Sequence, residues 1–201
     1  MEEVINLQEQ LRQAMNDIVR ALVAAEEAQE GAILGHADRV ASCATAIVNQ
    51  LGISGEALVT LRQAAALHDV GKIAVDRKIA AKFGKLTDDE LRAMQLHAIL
   101  AERILEKIEG LHDVLPAVRH HHERWDGTGY PAGLKGEEIP LGARIIAVAE
   151  TFDFLTTPLN WRETMDPDEA SAEIWRCSGT QFDPAVVEAF VKIQPLISFV
   201  H

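Results

Sequence analysis

Five of the eight histidines in the chain stand beside other polar groups where helix ends can converge. They are His36 in GHADRV, His68 in LHDVGK, His97 in MQLHAIL, and His121 and His122 in RHHHERWDGTGYP. Taken singly, each reads as a surface or core histidine, and His97, set among Met94, Leu96, Ile99 and Leu100, reads as a core one. The set changes that reading. His68 and Asp69 are adjacent, so at a helix end they project about 100° apart, and the carboxylate can bridge two ions while the imidazole binds one of them. His120, His121 and His122 cannot all face one point for the same reason, so at most two neighbours ligate. Imidazoles around a bridging carboxylate suit a binuclear centre of Fe, Mn, Zn or Ni better than Mg or Ca. Two such ions lower the pKa of a bridging water and clamp the attacking and leaving oxygens of a phosphodiester. Lys72, one turn beyond Asp69, can set a point charge on a non-bridging phosphate oxygen. Without the preceding His-Asp pair it would read as a solvated surface lysine.

Helices must position these groups. Apolar residues recur at 3.6-residue spacing almost throughout, as at Leu58, Leu61, Ala65 and Leu67, and strand signals are nearly absent. The pattern predicts helices near 35–51, 54–68, 87–107, 111–123, 139–156, 167–176 and 183–193. Turn chemistry marks the breaks, including Thr87 as an N-cap with Glu90 three residues on. A Gly-rich loop over about 126–139 carries the Gly129-Tyr130-Pro131 turn, where glycine permits a tight path and proline stiffens it. Residues 1–30 form a separate segment, one long helix from about residue 3, on which Val4, Leu7, Leu11, Ala14, Ile18, Ala21 and Ala25 follow a heptad-like seam. That seam either pairs two subunits as a homodimer or packs on its own domain, which occupies 31–201.

A formal net charge of −12 argues against a broad DNA- or RNA-binding face, which is built mainly from Lys and Arg. An anionic ligand needs a locally positive pocket. The 48% hydrophobic and 25% charged content is that of a folded globular protein. Cys43 and Cys177 have no CxxC neighbour and read as small hydrophobes in a reducing compartment. No apolar run of membrane-spanning length and no basic signal segment is present, so a cytoplasmic location with no membrane contact is expected.

The stretches GHADRV, ALHDVGKIAV, GKLTDDE, MQLHAILAERIL, RHHHERWDGTGYPAGLKGEEIPLGARIIAVAETFD and GTQFDP resemble, in order, those of the HD-GYP domains, a subgroup of the HD metal-dependent phosphohydrolases. The likeness runs over about residues 32–190. It implies an all-α, HD-type helical bundle that hydrolyses cyclic di-GMP to linear pGpG, and in some members GMP, through a metal-bridging hydroxide. The metals implied are two divalent ions, Fe or Mn. By the same resemblance His36, His68, Asp69, His97, His121 and His122 take ligand positions, with Asp69 bridging, and Lys72 lies near the substrate phosphate. Tyr130 shapes the substrate pocket, and Glu123 and Asp126 support the ligands and the loop entry.

Three positions depart from the family pattern. Glu150 stands where the last ligand is an Asp, and its extra methylene must be absorbed by retraction or a shifted ion. Ala32 stands where trinuclear members carry Glu, which favours two metals. Leu159 to Arg162 (LNWR) replaces an Arg-Pro-Tyr-Arg-like run, leaving Arg162 as the one phosphate-gripping cation there. Arg39, Arg119, Arg124 and Arg144 are candidate replacements, with surface salt bridging as the alternative. Glu150 and Leu159 motivate a second reading, a weakly active or inactive dinucleotide-binding module that signals through protein partners. A third is an HD-type hydrolase acting on a related nucleotide or cyclic dinucleotide.

Overall fold

The computed structural model describes residues 2–30, 34–82, 84–158 and 163–196. Ala32, Leu159 and Arg162 lie outside the described residues, as does the side chain of Val4. The chain folds as a helical bundle in the order α1 (Glu2–Glu30), α2 (His36–Gln50), α3 (Glu56–Leu67), α4 (Arg77–Ala80), α5 (Asp88–Gln95), α6 (His97–Leu105), α7 (Leu115–His120), α8 (Leu141–Thr156), α9 (Pro167–Arg176) and α10 (Pro184–Ile193). Short 3₁₀ turns at Val70–Ala74, Glu109–Val114, Gly136–Glu138 and Gln194–Leu196 join them. No strand occurs among the described residues, which bears out the all-α expectation.

α8 is the central element and packs on α2, α3, α7, α9 and α10. Ala143, Ile145, Ile146, Val148, Ala149 and Phe152 are all buried on it, as expected of a helix apolar around most of its circumference. Phe152 meets Phe190 of α10 edge to face, with ring centroids 4.9 Å apart. α2 buries Val40, Ala41, Ala44, Ile47 and Val48 at i, i+3, i+4 spacing, and each fully buried large aliphatic chain contributes about 1.5–3 kcal/mol.

Two helices differ from the sequence expectation. The segment expected as one helix over 87–107 is two, α5 and α6, meeting at Leu96. The Met94 carbonyl at this junction accepts the His97 ring Nδ1–H at 2.7 Å. The helix expected over 111–123 begins only at Leu115, because Pro116 has no N–H to give to a preceding turn and suits a first helical position. The Thr87 capping box forms as expected, with Thr87 Oγ1 accepting from Glu90 N and Glu90 Oε2 accepting from Thr87 N.

α1 lies along the bundle. Met15, Val19, Leu22 and Val23 pack on the core, whereas Leu7, Leu11, Ala14, Ile18, Ala21 and Ala25, the heptad seam, are all exposed. The helix therefore has two apolar faces, and its own domain covers the one that the seam did not mark. No helix among the described residues is long and apolar enough to cross a membrane.

The His-Asp pair leads into the 3₁₀ turn Val70–Ala74, which presses on α6. Gly71 makes that approach: a Cβ there would sit 1.9 Å from the His97 carbonyl oxygen and 2.5 Å from Ala101 N. Gly71→Ala must part the turn from α6, and we expect a loss of about 1–3 kcal/mol or more, read as a lower urea midpoint. An unchanged midpoint would refute this close-packing account.

Candidate metal centre

Three histidines arrive by the same local device. His68 caps the C-terminal end of α3, His97 follows the end of α5 and His121 caps the end of α7. The last carbonyls of a helix lack intrahelical partners, and each ring satisfies one three residues back. His68 Nδ1 lies 2.8 Å from Ala65 O, His97 Nδ1 2.7 Å from Met94 O, and His121 Nδ1 2.6 Å from Val118 O. A carbonyl can only accept, so every Nδ1 carries the proton, and every Nε2 is turned inward.

These inward nitrogens surround Asp69. His68 Nε2 is 3.3 Å and His36 Nε2 3.7 Å from Asp69 Oδ2, while His97 Nε2 is 3.3 Å and His121 Nε2 4.0 Å from Oδ1. Each carboxylate oxygen thus faces its own pair of imidazoles. Lys72 Nζ lies 2.6 Å from Oδ2, but neither oxygen accepts an aligned hydrogen bond, and His68 Nε2 has none either. His97 Nε2 and His121 Nε2 face each other at 3.3 Å. Burial pulls His97 down to about 4 and His121 well below the usual imidazole range, so neither Nε2 carries a proton to offer the other. Unprotonated ring nitrogens converging on a carboxylate that accepts no aligned hydrogen bond are what a cation binding site offers.

Burial also pulls His68 down, but the adjacent Asp69 carboxylate outweighs it and holds the ring up at about 9. An ion entering between them displaces that proton. For Asp69, burial favours the neutral acid, yet Lys72 and the histidines hold it well below the usual carboxylate range. Donor atoms lie within 4.8 Å of one another in three overlapping groups: Asp69 with His97, His121 and His122; His36 and His68 with Asp69; and His68 and His121 with Glu150. These residues can hold metal, and imidazole with carboxylate suits borderline transition metals. All seven expected ligand residues are brought together, Glu150 included, with Glu150 Oε2 4.0 Å from His122 Nδ1.

The GYP turn closes one side. Gly129 lies against the chain of His122 to Arg124, where a Cβ would meet Arg124 N at 2.4 Å, and Tyr130 stacks on His122 with centroids 4.8 Å apart. Burial and the nearby Glu150 raise the Tyr130 phenol, keeping it protonated. Glu123 is buried and accepts from Ala132 N at 2.7 Å and Leu134 N at 3.1 Å, tying the loop to the end of α7. Asp126 accepts from Thr128 N and Oγ1, so it orders the loop tip and touches no ligand. A cavity of about 200 Å³ opens beside His122 and Glu150, lined also by Arg124, Tyr130, Thr151 and Gln181.

Other expected cations are committed elsewhere. Arg144 pairs with Asp183 at 2.6 Å, donates to Ile139 O and lies over Trp125, bracing the loop rather than meeting the donor cluster. Arg119 pairs with Glu102, and Arg39 with Asp153 at 2.5 Å. Asp153 is the residue that sequence reasoning missed. Buried on α8, it accepts from His36 Nδ1 at 2.7 Å and from Arg39 Nε and Nη2. His36 and Arg39 hold its carboxyl down against the effect of burial. Its one sequence signal was its position three residues after Glu150, on the same helical face.

The family model described as HD domain matches residues 3–186, and the chain belongs to that family, with the motifs of its HD-GYP branch. The chain is 36% identical over 201 residues to the cyclic di-GMP phosphodiesterase response regulator RpfG of Xanthomonas campestris pv. campestris, covering 95% of this chain and 53% of that protein. It is 39% identical over 180 residues to the 3'3'-cGAMP-specific phosphodiesterase 3 of Vibrio cholerae, covering 90% and 39%. It therefore spans about half or less of these relatives. The solved cyclic GMP-AMP phosphodiesterase V-cGAP3 of V. cholerae shares the fold, with a TM-score of 0.69 at 22% identity over 88% of this chain and 47% of that one.

Asp153→Ala removes the acceptor that orients His36, and we expect metal affinity to fall about 10- to 100-fold. Competition with a chelator measures this, and unchanged affinity would show that His36 needs no such support.

Proposed function

We propose that this chain is the catalytic domain of a metal-dependent phosphodiesterase that hydrolyses cyclic di-GMP to linear pGpG, with further cleavage to GMP as a second step. The observation that carries it is Asp69, whose two oxygens each face a different pair of inward imidazole nitrogens. In this reading His36, His68 and Asp69 hold one ion, and Asp69, His97, His121 and His122 hold the second, with Glu150 completing the set. Fe and Mn are the metals offered. When bound, the two ions supply a nucleophilic water at neutral pH and neutralise charge on phosphodiester oxygens.

The chain's own groups do the rest. Lys72, held beside Asp69, directs an ammonium toward a non-bridging phosphate oxygen. Tyr130, protonated and fixed on His122, forms the pocket wall and offers a neutral donor. Arg124 lines the small cavity with its Nε donating to Thr128 Oγ1 at 3.0 Å, which leaves its terminal nitrogens for the phosphate-gripping role that Arg144 does not take, and Arg162 stays an expectation outside the described residues. The relative named for 3'3'-cGAMP supports the mixed cyclic dinucleotide as an alternative substrate.

The test is turnover of both dinucleotides by Mn- or Fe-loaded protein under reducing conditions, with linear products separated by chromatography. Asp69→Ala is expected to lower the rate roughly a hundredfold or more, whereas Glu150→Asp preserves or raises it. A loss beyond about tenfold in Glu150→Asp contradicts the account of Glu150 as an overlong ligand. Tight dinucleotide binding with no product supports the signalling-module reading instead.

The exposed seam of α1 supports a second part of the reading, pairing of two copies through Leu7, Leu11, Ala14 and Ile18. A parallel or antiparallel coil would cover these residues while leaving Met15 and Leu22 on the core. Sedimentation of the intact chain is expected to show a dimer that Leu11→Glu with Ile18→Glu dissociates at unchanged helicity. A monomeric parent chain at concentrations of tens of micromolar, about −6 to −7 kcal/mol, rules the pairing out.

A further inference from the structure

Among the described side chains of α1, Glu26 is the buried one, 4% exposed. A carboxylate withdrawn from water needs a cation or hydrogen-bond donors beside it. α1 packs on the 3₁₀ turn Val70–Ala74. Gln29, one helical turn beyond Glu26, donates from Nε2 to Val75 O at 3.1 Å. The turn holds a single basic side chain, Lys72, whose side chain is 17% exposed. The other cations near this end of α1 do not fit: Arg77 and Lys78 are exposed, and Arg39 is held by Asp153 and Leu34 O. An ammonium carries three donors, and Asp69 Oδ2 is one charge partner of it at 2.6 Å. Both Glu26 and Lys72 are engaged beyond the contacts already named.

We propose that Glu26 is the second counter-ion of Lys72, so that α1 positions the cation of the catalytic centre. Two carboxylates then hold the ammonium from opposite sides, Asp69 from the centre and Glu26 from the N-terminal helix. The neighbouring Glu27 accepts from Gly35 N at 2.8 Å, one residue before His36. The last turn of α1 is thereby tied to the segment that begins with His36 and to the one that carries Lys72. Glu26 is a positioning residue: it touches neither substrate nor metal and acts through Lys72. A shift of α1 along its axis moves the ammonium relative to Asp69.

The kinetic consequence rests on the phosphodiesterase reading, whereas the pairing does not, and the experiment separates them. Glu26→Gln and Lys72→Met are made singly and together in the full chain and unfolded by urea without metal. A double-variant loss smaller than the sum of the single losses is expected, and additive losses overturn the pairing. With metal and cyclic di-GMP, Glu26→Gln is expected to lower kcat about tenfold while KM stays within about twofold. Glu26→Asp recovers part of that loss. In a Lys72→Met background Glu26→Gln changes nothing further; a tenfold loss there too overturns the positioning role. Where Glu26→Gln fails to fold, the same cycle is run with Glu26→Asp, which keeps the charge and shortens the reach. A parent chain that turns over no dinucleotide sinks the phosphodiesterase reading, and the urea cycle still decides the pairing.

Discussion

The Asp69 carboxylate is buried at the centre of the bundle with neither oxygen in an aligned hydrogen bond, and a negative charge in that position persists only where positive charge is held close. Lys72 supplies one charge at 2.6 Å, and His68, its ring held up by Asp69 itself, supplies another. The remaining rings meet Asp69 through nitrogens that carry no proton. What the protein alone leaves unmet there is bonding rather than charge, since the Asp69 oxygens and the His68 Nε2 lack aligned partners, and bound metal would supply them. The local cost of the arrangement is carried by the packing around it. α8 buries nearly its full circumference, and the turn after Asp69 packs so tightly on α6 that only glycine fits at position 71.

Helix termini do the positioning. A helix end leaves carbonyls without partners, and a histidine just past that end can satisfy one through Nδ1 while presenting Nε2 outward. α3, α5 and α7 each end this way, at His68, His97 and His121. One hydrogen bond therefore does two jobs at each site: it closes a helix and selects the ring tautomer. The break between α5 and α6 has the same origin, since the Met94 carbonyl is turned to the His97 ring.

Much of this was legible in the sequence because it depends on neighbours along the chain. The His-Asp adjacency, the two usable rings of the histidine run, the Thr87 cap and most helices follow from spacing alone. The family likeness then singled out the expected ligand residues, and the donor cluster contains all of them. What escaped depends on pairs far apart in sequence. Asp153 meets His36 and Arg39 across more than a hundred residues, and nothing local to an acid on an apolar helix announces that partner. Arg144 looked like a spare cation, but its guanidinium is spent on Asp183. The heptad seam of α1 was read correctly as a stripe. Of the two uses offered for it, packing on its own domain is not the one the helix makes, because a second, less regular set, Met15, Val19, Leu22 and Val23, covers the core.

α8 brings two acids toward the centre one helical turn apart, and their burial differs. Asp153 is locked by His36 and by Arg39 at 2.5 Å, with Thr157 Oγ1 donating to it from the next turn. Those contacts fix the rotation and height of α8. Glu150, on the same face, then has no freedom to withdraw by moving its helix, and the extra methylene relative to Asp must be taken up within its own side chain. Its carboxylate lies 4.0 Å from His122 Nδ1, at the edge of the small cavity rather than against Asp69. The longer acid therefore takes up its extra methylene within reach of His68, His121 and His122, on a helix anchored through Asp153.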